Sequence, residues 1–147
     1  MRDGMSDGMK GGTPRLIQPE GWARPRGYSN GVVASGRVLT IGGQIGWNAA
    51  QVFERHDFVG QFDQALANVR AVVDAAGARP EDIVSMTIYV TDLDAYRQSL
   101  AALGPVWKRH LGRVYPAMAL VGVAGLVEPE AQVEIQALAV MPDREET

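Results

Sequence analysis

Asp82-Ile83-Val84-Ser85-Met86-Thr87-Ile88-Tyr89-Val90-Thr91-Asp92-Leu93 is the stretch whose reading decides the fold. Val84, Met86, Ile88 and Val90 alternate with Ser85, Thr87, Tyr89 and Thr91, the two-residue period of a strand with one buried and one polar face. Asp92 then stands where a helix N-cap belongs, ahead of Leu93, Tyr96, Leu100 and Leu103. Gly104-Pro105 is expected to break or kink this helix before Val106, Trp107 and Leu111, because proline has no amide to donate.

The same alternation of periods extends in both directions. Upstream, Phe58, Phe62, Leu66, Val69 and Val73 recur at helical spacing, with Asp57 as N-cap and Gly77 as stop. Val32, Val33 and Ala34 and then Arg37-Val38-Leu39-Thr40-Ile41 flank Ser35-Gly36, which reads as a β-hairpin. Downstream, closing strands are expected over about 117–123 and 131–141. Strands first, then helix, strand, helix and two strands predict an α+β sandwich with helices on one face of a mixed sheet. Residues 16–141 form this single domain, and residues 1–15, rich in Gly, Met and charge, and the charged ending 142–147 are expected to be flexible tails.

Composition narrows the chemistry. The chain has 147 residues, 46% of them hydrophobic and 21% charged, and a net charge of −3. No basic stripe appears, which argues against a nucleic-acid partner held by phosphate contacts. The absence of cysteine excludes thiolate catalysis and cysteine-ligated metals. His56 and His110 lie far apart without metal-ligand spacing, so no metal site is expected. No apolar run is long enough to span a membrane, and Met1-Arg2-Asp3-Gly4 lacks the apolar segment of a signal peptide, so the protein is expected in the cytoplasm.

Four segments in the same order resemble the Rid (YjgF/reactive intermediate deaminase) family, and the likeness runs from about Tyr28 to Val140. They are Gly42-Gly43-Gln44-Ile45, the helix from Asn68 to Gly77, the strand Asp82–Leu93 quoted above, and Val133-Glu134-Ile135-Gln136-Ala137-Leu138-Ala139. The resemblance implies a chorismate-mutase-like fold, a mixed six-stranded sheet with two helices on one face. It also implies a homotrimer with small-molecule pockets between subunits. Better-known members hydrolyse reactive enamines and imines to ketones and ammonia, without a cofactor. Older labels of translation inhibitor and ribonuclease attach to such sequences, but the acidic balance of this chain speaks against nucleic acid.

Site residues carry over position by position. Active members have an arginine after the Pro-Ala of the penultimate strand, which clamps the substrate carboxylate through two parallel hydrogen bonds. Here Pro116-Ala117 is followed by Met118, and Leu120 stands where a cysteine is often found. Gly42 replaces a serine, and the nearest counterpart of an asparagine in the second helix is Leu100. Tyr28, the Gly43 backbone N–H and Glu134 remain, with Glu134 as the implied catalytic carboxylate.

Each residue also has a plainer reading. Glu134 alternates with Gln132 and Gln136, as a polar sheet or subunit surface would require, and Tyr28 can be a core aromatic. Gly42-Gly43 can be a bulge or a place where backbone N–H groups approach a ligand. Met118 and Leu120 are ordinary sheet residues that would also make a pocket apolar, and Trp47 is a pocket lid or exposed packing. Arg109, His110 and Arg113 suit the negative end of a helix, and Arg113 is a candidate for the missing cation. Two functions follow. One is an enamine/imine hydrolase acting on something other than simple 2-imino acids, since arginine-less relatives include deaminases of ring-cleavage products such as 2-aminomuconate. The other is a non-catalytic trimer that binds or senses a small metabolite.

Overall fold

The computed structural model describes residues 14–143; the expected tails lie outside these, apart from Pro14, Arg15, Pro142 and Asp143. Among these residues six strands are present: β1 (Arg15–Ile17), β2 (Gly31–Val33), β3 (Arg37–Ile45), β4 (Ile83–Val90), β5 (Ala117–Gly122) and β6 (Val133–Met141). Three α-helices of the described residues accompany them, α1 (Phe58–Ala75), α2 (Leu93–Gln98) and α3 (Leu100–Leu111), with a 3-10 turn at Pro80–Asp82. The strands do not form one six-stranded sheet as expected. β1 and β2 pair with each other, and the main sheet has four strands in the order β3-β6-β4-β5. The main sheet is mixed: β6 runs antiparallel to β3 and β4, and β5 runs parallel to β4 through the α2–α3 crossover.

The Ser35-Gly36 hairpin is also not formed. β2 pairs with β1, whereas β3 pairs with β6. Gly36 has φ +148°, and a side chain there would collide with the Met141 carbonyl at the end of β6. The dipeptide is therefore a crossing from one sheet to the other, squeezed against β6, and only glycine fits it.

α1 matches its sequence pattern. The Asp57 carboxylate accepts a hydrogen bond from the Gly60 N–H at 2.9 Å, and the helix ends just before Gly77. Phe58, Phe62, Leu66, Val69 and Val73 are all buried against the sheet. Asp92 caps α2 through the Asp94 and Ala95 amides. The break in the following helical run falls at Ser99 and not at Gly104-Pro105. Ser99 Oγ donates to the Ala95 carbonyl at 2.6 Å, and its own carbonyl starts α3 by accepting from Ala102 and Leu103. Pro105 lies inside α3 on its exposed side, with Ala101, whose carbonyl loses its amide partner, also exposed. Water can satisfy that carbonyl, so the helix tolerates the proline.

The strand period sorts the side chains of β4 and β6. Met86, Ile88 and Val90 pair with Ala137, Ile135 and Val133 under the helices, and all six are buried. Fully burying a Val or Ile side chain contributes about 1.5–3 kcal/mol, so this face dominates stability. The alternate residues, Tyr89, Thr87, Glu134 and Gln136, project from the opposite face, which carries no helix among the described residues.

Candidate functional site

The sequence-derived site residues fall into two groups on opposite faces of the main sheet. Glu134 belongs to the helix-free face. It pairs with Ile45 of β3 on one side and Tyr89 of β4 on the other. The β3–β6 register shifts between Ile41 and Gln44, so Gly42 and Gly43 form an irregularity in the ladder. That irregularity has a consequence for Glu134: a side chain at Gly43 would occupy the position of the Glu134 carboxylate. The missing Cβ therefore lets the carboxylate lie directly against the exposed strand backbone, and the register shift bears out the bulge reading of Gly42-Gly43. Beside it, the Tyr89 hydroxyl donates to Gln136 Oε1 at 3.3 Å, whereas Gln44, paired with Ile135 of the helix side, donates from Nε2 to the Gly42 carbonyl at 3.1 Å.

Met118 and Leu120 are on the other face. They pair in parallel register with Met86 and Ile88 and so point to the helix side, where they pack against the core. There they line a cavity of about 420 Å³ between β5, α2 and α3, together with Phe62, Ile88, Tyr96, Leu100, Leu103, Trp107 and Tyr115. Trp107 and Tyr115 stack with ring planes 6° apart, and Trp107 Nε1 donates to the Val114 carbonyl at 2.9 Å, which holds this wall in place. Tyr28 lines the same cavity. It is brought there because Ser29 docks on the start of β5: its N–H donates to the Pro116 carbonyl at 3.1 Å and its Oγ to the Tyr115 carbonyl at 2.5 Å.

The structure does not bring Arg113 to Met118. Arg113 lines a separate cavity of about 460 Å³ under β1 and β2, which meets the first at Tyr28 and Tyr115. The cations that share a cavity with Met118 are Arg26 and Lys108, neither of which the sequence singled out. They have no periodic signature; only the docking of the 26–29 loop on β5 puts Arg26 there.

Arg109 and His110 also do more than complement a helix end. Asp63 of α1 accepts hydrogen bonds from Arg55 at 2.9 Å and Arg109 at 2.6 Å, and its Oδ1 lies 2.5 Å from His110 Nε2. Burial alone would raise the Asp63 pKa, but the hydrogen bonds from His110, Arg55 and Arg109, with the Arg109 charge, outweigh it and hold the carboxyl at about 2. The cluster clamps α3 to α1, and Arg70 adds to it by donating to the His110 carbonyl at 2.7 Å.

Two amides that the sequence reading passed over tie down loops at this end of the sheet, Asn68 the loop after β3 and Gln61 the one before β6. Asn68 Nδ2 donates to the Ile45 and Trp47 carbonyls at 2.9 and 2.7 Å. Buried Gln61 accepts from the Gln132 N–H at 2.8 Å and donates to the Glu130 carbonyl at 3.0 Å. Trp47 packs on Phe53, with ring centroids 5.8 Å apart, and does not line either cavity. Among the described residues no group of three or more His, Cys, Asp or Glu could hold a metal ion, and no helix is long and apolar enough to cross a membrane.

Fold and site together define a small α+β domain with helices on one side of a mixed sheet and a half-buried carboxylate on the other. The family model described as Endoribonuclease L-PSP matches residues 22–141. An Escherichia coli K12 protein named 2-iminobutanoate/2-iminopropanoate deaminase is 34% identical over 113 residues, 77% of this chain and 86% of that protein. A Yersinia pestis protein of unknown function from the conserved Rid family superposes with a TM-score of 0.78 at 35% identity, over 88% of this chain and 99% of its own. The E. coli YjgF gene product gives 0.63 at 34% identity, over 77% and 87%. The chain belongs to the Rid/YjgF family, and imine deaminases are among its relatives.

Proposed function

We propose that this protein is a homotrimeric hydrolase of C=N bonds, in which Glu134 and the Gly42-Gly43 backbone of one subunit complete the Tyr28–Met118–Leu120 cavity of the next. The observation that carries this reading is the split itself. One chain has a cavity with no carboxylate or histidine among its described lining residues, and a carboxylate that lines neither of the two cavities, on opposite faces of one sheet. A helix-free face bearing Glu134, Gln136 and Tyr89 beside exposed Val38 and Val121 is suited to burial against another subunit.

The chemistry needs only water as co-reactant. Glu134 accepts a proton from water as the oxygen attacks the imine carbon, giving a carbinolamine. The proton is delivered to nitrogen, the C–N bond breaks as the carbonyl forms, and ammonia and a ketone leave. The Gly43 N–H is the donor assigned here to the charge that develops beside Glu134. Met118 in place of a guanidinium offers no partner to a carboxylate on the cavity floor, so 2-iminopropionate is expected to be a poor substrate. The same apolar floor favours a second reading, ligand binding without turnover.

Coupled detection of ammonia from imines generated in situ separates the two. Glu134→Gln is expected to lower kcat by roughly a hundredfold or more, and Met118→Arg to raise turnover of 2-iminopropionate. Ammonia release no faster than without the protein overturns the hydrolase and leaves the binding trimer; a catalysed rate that Glu134→Gln leaves unchanged removes Glu134 from the chemistry. Light scattering is expected to give three times the chain mass at micromolar concentration; a monomer removes the shared site altogether.

A further inference from the structure

We propose that the anchor for the ligand's carboxylate has moved from the cavity floor to its mouth, where Arg26 and Lys108 hold it, so that the site selects acids with an aromatic or bulky apolar side chain. The inference rests on the reading of this cavity as the ligand site, but not on whether the bound ligand is turned over.

The lining is polarised. Ile88 and Phe62, 3% exposed each, form its floor with Met118 and Leu120, while Arg26 and Lys108 are exposed at its edge. No described Asp or Glu of the same chain lines it, so within one subunit its two cations stand uncompensated, in a chain whose net charge is −3. That arrangement attracts an anion and then directs it: the charged group stays at the wet mouth and the apolar remainder goes inward. Arg26 reaches the cavity from the loop ahead of Ser29 and Lys108 from the last turn of α3, so the two approach from different elements. A guanidinium fork can take both carboxylate oxygens, with the lysine as a second point charge.

Size and shape agree. About 420 Å³ falls within the range of sites that enclose a drug-sized ligand, and a three-carbon acid would leave most of it to water. The stacked Trp107–Tyr115 pair offers a flat, rigid wall to a planar group. An acid anchored at the mouth fills the volume only if its side chain is long or aromatic. With arginine at position 118 the same cavity would hold the carboxylate at the bottom and suit short side chains.

The test is calorimetric titration of the intact protein with three stable probes, 3-phenylpropanoate, propanoate and 3-phenylpropanamide. The wild type is expected to bind 3-phenylpropanoate at least tenfold tighter than either of the others. Arg26→Gln combined with Lys108→Met should lower 3-phenylpropanoate affinity to that of the amide. Both side chains are exposed, so the fold survives, and circular dichroism checks it. Met118→Arg is expected to reverse the preference towards propanoate. Equal affinity for propanoate and 3-phenylpropanoate, undiminished binding in the double variant, or binding of none of the three probes overturns the proposal. Because this readout needs no turnover, failure of the hydrolase reading shows in the ammonia assay alone, and failure of the mouth anchor in the titration alone.

Discussion

Along one side of β6, Val133, Ile135, Ala137 and Ala139 are enclosed beneath the helices; along the other, Glu134 and Gln136 meet no helix among the described residues. Adjacent residues of one strand thus answer to different demands. The helix side carries packing, where any lost methyl leaves a cavity. The open side carries polar groups whose replacement disturbs little of the fold. A strand's two-residue period is what keeps the demands apart, and it holds only while the β3–β6–β4 register holds.

The comparison can be broken most severely at Ile135. Ile135→Ala is expected to destabilise the chain by about 2–5 kcal/mol in urea unfolding, with activity per folded molecule retained. Its neighbour's replacement, Glu134→Gln, should stay within about 0.5 kcal/mol in the same experiment. A Glu134 variant that unfolds as readily as the Ile135 variant would make the carboxylate structural. A finer test is Gly43→Ala, whose methyl meets the Glu134 carboxylate. It is expected to lower kcat about tenfold, equivalent to about 1.4 kcal/mol in the barrier, with unchanged affinity for a ligand anchored at the cavity mouth. Unaltered kcat would separate Glu134 from the chemistry.

A smaller effect than at Ile135 is expected at the clamp between the helices. The folded pKa of Asp63, about 2, lies below its ordinary value of 3.8. Its contribution is therefore fully present above about pH 4 and is lost as pH falls towards 2. The shift corresponds to about 2 kcal/mol at most, and the half-exposed arginines reduce this to about 1 kcal/mol. Asp63→Asn should cost that amount at pH 7 in denaturant unfolding and flatten the stability profile between pH 4 and 2. An unchanged acid profile would show that Asp63 does not carry it.

α1, β4 and the two capping aspartates were legible because their signals are local: a period of 3.6 or 2, and a short polar side chain ahead of an apolar run. Ser35-Gly36 misled for a matching reason. A turn between two apolar runs looks the same whether the runs pair with each other or with strands elsewhere, and the partner of β3 lies about a hundred residues on, at Val133–Met141. Pro105 misled because its tolerance depends on exposure, which local sequence does not give. The family likeness implies pockets between subunits but does not say which face of the sheet each site residue occupies. Parity and parallel register place Met118 and Glu134 on opposite faces, and that requires knowing that β5 pairs with β4. Arg26 and Lys108 carry no motif at all, and only tertiary docking collects them.

β6 comes last in chain order among the described strands yet lies in the interior of the main sheet, between β3 and β4. During synthesis, every earlier strand emerges before the one that joins them. A nascent chain paused before Val133 would hold β3 and β4 with the hydrogen-bonding edges meant for β6 open, each a template for intermolecular pairing. The main sheet therefore cannot be completed until Val133–Met141 has emerged, and the half-made chain depends on rapid completion or on chaperone cover to avoid association through those edges.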